Sequence, residues 1–325
     1  MEAWQGLAAV PAEQPPSAVT MGNFDGVHRG HQEVLTATVD TARDRGLQAV
    51  VLTFDPHPRL VHHPEEPLVP IVSLPQRLNL IQRAGADATC VVHYTLNFAS
   101  QSPEEYVRTT LVETFNAQVV VVGSDCRFGK ANAGDITTLR ELGATYGFEV
   151  VEVPEVGTDS RWSSTSVRQA LSEGRVADAA TILGRPHEVC GEVVHGEARG
   201  RELGFPTANL SDEAQGMIPA DGVYAGWFID QDHHRWPTAI SVGSNPTFEG
   251  VQRTVEAHIM NRPEEERVED FDLYGQIVTV EFVARLRGMV AFEGVEKLIA
   301  QMGQDVAQAQ AVLEGRSLAV DAVDG

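Results

Sequence analysis

The 325-residue chain exceeds the usual size of one domain, and 42% apolar with 22% charged residues excludes a disordered protein and predicts two globular cores. A formal net charge of -22 argues against nucleic acid or an anionic membrane as partner, because the long-range field repels both. Three cysteines, Cys90, Cys126 and Cys190, without CxxC spacing suit neither a disulfide framework nor a zinc site. No apolar run has membrane-spanning length, and MEAWQGLAAVPAEQPP lacks the basic start and long apolar core of a signal peptide. The expectation is a cytoplasmic protein of unstated oligomeric state.

Strand-like and helix-like segments alternate through the first half. Candidate strands run from Ala18 to Phe24, Gln48 to Phe54, Ala88 to Tyr94, Gln118 to Ser124 and Phe148 to Val153. Each is short, β-branched and almost continuously apolar, as strands covered on both faces of a parallel sheet are. Ser102-Pro103-Glu104-Glu105 reads as a capping box with proline at the first helical position. The βαβα order predicts a doubly wound α/β domain.

The texture changes at Leu183-Gly184-Arg185-Pro186, where a domain boundary is placed between 185 and 186. Downstream, His187 to His195, Gly222 to Ile229, Trp236 to Val242, Thr254 to Met260 and Gln276 to Arg285 read as strands of a small antiparallel barrel or sandwich. Arg262 to Asp270 reads as a charged loop, and a helix from Gly294 to Leu313 closes the domain.

Four segments follow candidate strands and carry chemistry. In GNFDGVHRGH the glycines let the chain turn, and His28 and His31 fall on the first turn of the next helix. Ligands of a doubly wound sheet bind there, where free N–H groups and the helix dipole favour phosphate. Read alone, the pattern is equally a tight turn with two surface histidines. Trp162-Ser163-Ser164-Thr165-Ser166-Val167-Arg168 places hydroxyls at a helix start with an arginine one turn on, either a polyphosphate site or an ordinary Ser/Thr cap. Gly123 to Lys130, with Asp125 and Phe128, and Phe54-Asp55-Pro56-His57-Pro58 add two more strand-end loops, the latter of which alone is equally a proline-stiffened turn. Convergence of these loops is what argues for a site.

With these motifs, and with Gly200-Arg201-Glu202-Leu203-Gly204-Phe205-Pro206-Thr207-Ala208-Asn209 downstream, the chain resembles the prokaryotic bifunctional riboflavin kinase/FAD synthetase family over nearly its whole length. The resemblance implies an HxGH-class nucleotidyltransferase in residues 1–185, which transfers the adenylyl group of ATP to FMN and releases pyrophosphate. It implies a riboflavin kinase in residues 186–325, with magnesium and ATP serving both steps and riboflavin, FMN and ATP as the small-molecule partners. It casts His28 and His31 as catalytic, and Gly22, Asn23, Phe24, Asp25, Asp125, Ser164, Thr165, Arg168, Gly204 and Pro206 as ATP or phosphate binders. Thr207 and Asn209 become metal ligands, and Asp55, His57, Phe128 and Arg285 flavin contacts. Ser241 to Phe248 resembles another family segment. Trp162 stands where the family usually has an aliphatic residue, and Cys126 and His187 where aromatics are common.

Glu256 has its own argument. In Arg253-Thr254-Val255-Glu256-Ala257-His258-Ile259 the apolar residues alternate with polar ones, so the carboxylate points away from the packed face, toward ligand or water. The resemblance makes it the base that takes the proton of the terminal ribityl hydroxyl during γ-phosphoryl transfer. Two alternatives stay open at this point: one live activity only, or a non-enzymatic flavin-binding regulator.

Overall fold

In a computed structural model, which describes residues 1–155, 157, 162–196, 204–247, 250–261 and 273–315, the apolar runs of the first half form one parallel sheet. The charged loop Arg262–Asp270, Gly200–Leu203 and Phe248 lie outside the described residues. By contacts the chain divides into two units, Met1–Ser164 and Thr165–Gly325.

The strands of the first unit are β1 Glu2–Gln5, β2 Ser17–Met21, β3 Gln48–Asp55, β4 Ala88–His93, β5 Ala117–Gly123 and β6 Glu149–Val153, in the order β1-β4-β3-β2-β5-β6. Every neighbouring pair is parallel. Both faces are covered, which is why the runs read as continuously apolar. Val19, Val50, Leu52, Val120 and Val122 pack on one face with Leu111 and Phe115, while Ala18, Ala49, Val119 and Val121 pack on the other with Ala42. The edge strand β1 escapes the sequence pattern because it has four residues and only Trp4 is buried. The second correction is at β2, which ends at Met21 instead of running to Phe24. Phe24 has a positive φ of 48°, so the chain has already left the sheet there.

The helices of this unit are α1 Arg29–Arg45, α2 Pro58–His62, α3 Leu74–Arg83, α4 Leu96–Ala99, α5 Pro103–Tyr106 and α6 Ile136–Tyr146. The expected capping box is present: Glu105 N–H donates to Ser102 Oγ, and Ser102 N–H donates to the Glu105 carboxylate at 2.8 Å. A π-helical segment, Val107–Thr114, continues from α5.

The second unit contains α7 Ser164–Ser172 from Thr165 onward, then α8 Val176–Leu183, and a closed six-stranded barrel. Its strands are β7 His187–Val194, β8 Ala208–Leu210, β9 Gly222–Ile229, β10 Arg235–Thr247, β11 Gly250–Ile259 and β12 Ile277–Arg287, closing in the order β10-β11-β8-β7-β12-β9. Inward residues such as Val189, Phe228, Ile240, Ala257, Val280 and Phe282 are fully buried and alternate with outward ones. Gly226 is required at one crossing, since a Cβ there would run into the Glu281 carbonyl. The closing helix, α9 Val295–Leu313, packs Ala309 onto Ala225, Ala239 and Met260, and Asp305 accepts from Arg287 at 2.7 and 2.9 Å.

The contact boundary after Ser164 lies upstream of the Leu183–Pro186 junction read from the sequence. The physical reason is that α7 and α8 pack with the barrel. Ala220 N–H donates to the Leu171 carbonyl at 3.0 Å, and Arg285 reaches the Glu173 carbonyl at 3.3 Å.

Candidate active site

In the first unit the strand order reverses at β2: the chain steps outward through β3 and β4, then crosses to β5 and β6. A crevice opens outside the carboxyl ends of strands at such a reversal. The loop after β2 is Gly22–His28, and it is held in an unusual backbone path. Phe24 and Val27, both buried, have φ of 48° and 41°, and Gly26 has φ 80° with Ile71 at 3.0 Å from any Cβ it might carry. Positive φ in a β-branched residue is costly, and such strain collects at functional sites.

His28 is the N-cap of α1 and lies just ahead of the helix, one position earlier than the sequence reading placed it. Its Nδ1 accepts the His31 backbone N–H at 3.4 Å, which in the neutral ring leaves the proton on Nε2. The two imidazoles stack with centroids 3.7 Å apart and planes 23° from parallel, and Phe24 meets His31 edge-on. Gly30 lies close under the His28 ring, where a Cβ would approach to 3.1 Å and push the ring aside. The pattern HxGH is therefore a cap, a packed ring and a second ring on one helix start.

The Asp25 carboxylate accepts the N–H groups of Ile71 and Val72 at 3.0 and 3.3 Å, and its carbonyl accepts the Ser164 hydroxyl at 2.9 Å. It thus pins the turn to two other segments. Ser164 opens α7, with Thr165 and Arg168 following on that helix. Gly22 and Asn23 line the turn, and Asp125 folds its carboxylate back over Gly123 at the end of β5. Burial pushes the neighbouring Cys126 thiol up to about 12, so it carries no thiolate chemistry near neutral pH.

Aromatic rings gather at the carboxyl ends of β3, β4 and β5. Phe54 packs on Tyr94 and Phe98 at 5.4 and 6.1 Å, Phe98 on Tyr106 at 6.0 Å, and Tyr106 on Phe128 at 5.7 Å. His62 Nε2 lies 3.0 Å from the Tyr94 hydroxyl. Of these the sequence marks Phe128 and, at the head of the Phe54–Pro58 motif, Phe54; the others sit in separate segments that topology alone brings together. Asp55 ends β3 beside them, and His57 caps α2 through Nδ1 and the Arg59 N–H.

In the barrel, Glu256 on β11 is the direct cross-strand partner of Asn209 on β8 and of Ser241 on β10. Opposed residues of an antiparallel pair share a face, so these three side chains form one row on the outer wall. Thr207 immediately precedes β8, two positions before Asn209. The Asn209 amide N–H donates to the Thr207 carbonyl at 3.4 Å, and His258 Nδ1 donates to the Pro206 carbonyl at 2.9 Å. Gly204 takes a left-handed φ of 84° to start this turn, and Gly196 lies so close to the Asn209 amide that a Cβ there would displace it. Arg285 is not brought to this row. It sits on β12, the strand farthest from β11 in the closed order, and donates to the Asp221 and Glu173 carbonyls.

A family model described as FAD synthetase matches residues 10–166, and one described as riboflavin kinase matches residues 183–313. The bifunctional riboflavin kinase/FMN adenylyltransferase of Escherichia coli K12 is 32% identical over 297 residues, covering 90% of this chain and 92% of that protein. Its counterpart from Pseudomonas fluorescens is 34% identical over 322 residues, covering 96% and 98%. The chain belongs to the bifunctional riboflavin kinase/FMN adenylyltransferase family. A crystal structure titled as a macrolide-efflux protein from Streptococcus pneumoniae is 31% identical and superposes with a TM-score of 0.84, over 95% of this chain and 99% of its own. Among the described residues no helix of this family member is long and apolar enough to cross a membrane. As a bifunctional riboflavin kinase/FMN adenylyltransferase the chain makes FMN from riboflavin and FAD from FMN, using ATP in both steps. The FAD synthetase match contains His28, His31 and Ser164, and the riboflavin kinase match contains Thr207, Asn209 and Glu256.

Proposed function

We propose that His28, His31 and the Gly22–Asp25 turn, with Ser164, Thr165 and Arg168, carry adenylyl transfer. Glu256, Thr207 and Asn209 carry riboflavin phosphorylation. The observation that supports the kinase half is the register of Glu256 opposite Asn209, which sets a carboxylate beside a neutral amide on one outward face.

In the kinase step the terminal ribityl hydroxyl attacks the γ-phosphorus of ATP. Glu256 takes the hydroxyl proton as the bond to the bridging oxygen breaks and ADP leaves. The Thr207 hydroxyl and the Asn209 amide oxygen are donor types that suit magnesium, which usually shares its shell with substrate phosphates. A magnesium ion bound there with ATP would neutralise phosphate charge. Gly204 and Pro206 shape the turn that presents these donors.

Adenylyl transfer has a different demand. The attacking group is a phosphate oxygen of FMN, already ionised near neutral pH, so no base is required and the site must instead stabilise charge growing on the α-phosphate. Imidazole N–H groups and free amides at the start of α1 supply that. Ser164, Thr165 and Arg168 would hold the departing pyrophosphate, and Asp125 closes the β5 side of the crevice. The rings of Phe54, Tyr94, Phe98, Tyr106 and Phe128 offer an apolar wall for the isoalloxazine, with Asp55 and His57 at its polar end. The three free cysteines, Cys90 among them fully buried, fit a reducing cytoplasm.

Incubation with riboflavin, ATP and magnesium, followed by chromatography of the products, tests this reading. FMN and FAD should both accumulate, and omission of magnesium should stop both; undiminished turnover in excess chelator would remove the metal from Thr207 and Asn209.

A further inference from the structure

We propose that Arg77 is a positioning residue for adenylyl transfer, locking the loop after β2 against the end of β3 and holding the Asp55 carboxylate at the crevice. The proposal rests on the reading that Gly22–Asp25 and Asp55 belong to that site. No motif marks Arg77. In Leu74-Pro75-Gln76-Arg77-Leu78-Asn79-Leu80 it reads as the solvated residue of an amphipathic helix.

In the folded chain it is 5% exposed, and charged side chains are rarely buried unless paired. Its Nη1 donates to the Asn23 carbonyl at 2.9 Å, to the Phe54 carbonyl at 2.9 Å and to Thr53 Oγ1 at 3.1 Å. Thr53 Oγ1 in turn donates to the Asn23 carbonyl at 3.1 Å. Nη2 stands 3.9 Å from Asp55 Oδ1. One guanidinium therefore ties the loop after β2 to the last residues of the adjacent parallel strand β3, and faces the carboxylate that ends β3.

Stability alone does not explain this arrangement. The Nε–H is buried without an acceptor, and burial pulls the guanidinium down from its ordinary value while Asp25 and Asp55 oppose the change. Buried charges with imperfect partners stabilise less than apolar residues of equal volume. An apolar residue could not hold the Asn23 and Phe54 carbonyls together, and small displacements of such loops are enough to misplace ATP and FMN relative to each other.

The test uses full-length R77M, which keeps volume without donors, R77K, which keeps charge on a single nitrogen, D55N and the double variant R77M/D55N. Circular dichroism and thermal unfolding establish folding, and riboflavin phosphorylation by the same preparations serves as internal control. For FAD formation, kcat should fall about 10²-fold in R77M and about tenfold in R77K, with KM for ATP and FMN within a few-fold of wild type. R77M/D55N should be no slower than R77M, because Arg77 acts in part through Asp55. A folded R77M within about twofold of wild-type kcat, or a defect confined to KM, would overturn the proposal. If R77M fails to fold, R77K decides: about tenfold slower turnover supports the proposal, and wild-type turnover overturns it. H28A separates the two levels. Unchanged FAD synthesis in H28A sinks the site reading itself, whereas its loss alongside wild-type R77M and R77K sinks only the role of Arg77.

Discussion

On the proposed reading the two chemistries turn on Glu256 and on the histidine pair, and each can be removed without touching the other. Glu256→Gln keeps shape and the register opposite Asn209 but removes the carboxylate proposed as base. FMN formation should drop by about 10²-fold or more, while FAD formation from supplied FMN continues. Near-normal phosphorylation of riboflavin by E256Q would return Glu256 to a solvated strand position. His28→Ala and His31→Ala remove one ring each from the stacked pair, and His28→Ala also removes the cap on the His31 N–H. Each should depress FAD formation by about 10²-fold, the scale seen when one preorganised donor is deleted, with riboflavin phosphorylation unchanged. FAD synthesis at wild-type rate in both variants would leave the histidines with a capping role only.

Strand β7 shows how one element brings a pH dependence into the barrel. It begins at His187, whose Nε2 donates to the Met217 carbonyl at 2.6 Å while Nδ1 is buried without a partner. Burial lowers its pKa to about 4, against the opposing effect of the Met217 hydrogen bond. The unfolded histidine titrates near 6.5, so between about pH 6.5 and 4 the unfolded chain binds a proton that the folded barrel refuses. Stability is full above that window and declines as pH falls through it, by about 3 kcal/mol across its width. His187→Phe keeps an aromatic beside Phe282 and removes the titration. The melting temperature of the second unit should then fall less between pH 7 and pH 5 than in wild type. Equal acid sensitivity of the two proteins, measured by calorimetry, would show that His187 charges without cost.

At the scale of the whole molecule, the packing of α7 and α8 bears on how much chain the kinase fragment needs, since the riboflavin kinase match starts at residue 183 and the contact unit at Thr165. A fragment of residues 186–325 contains Thr207, Asn209 and Glu256 but lacks the helices whose Val167, Leu171, Val176 and Leu183 are buried in the fold. It also loses the Leu171 and Glu173 carbonyls that hold Ala220 and Arg285. A fragment of residues 165–325 keeps both. The longer fragment should unfold cooperatively and convert riboflavin to FMN, and the shorter should melt at lower temperature with weakened activity. Equal melting temperatures by circular dichroism would favour the boundary at the Leu183–Pro186 junction.

Much of this was legible in the linear chain because the signals are local. Continuous apolar runs mark strands covered on both faces, Ser102-Pro103-Glu104-Glu105 marks a helix start, and alternation around Glu256 marks its outward side. The motifs His28 to His31, Ser164 to Arg168 and Thr207 to Asn209 are local in the same sense, each within a few residues. What needed the tertiary structure depends on residues far apart in sequence. Parallel pairing with β4 recruits β1, which has too little apolar character of its own, and the aromatic wall joins Phe54 to Phe128 across three strand ends. Arg77 reads as a surface residue until α3 is laid under the ends of β2 and β3, where its donors meet carbonyls that no sequence pattern can assign to it. Short-range periodicity and capping are written in neighbouring residues, whereas burial of a charge and the meeting of loops follow from which segments the topology sets side by side.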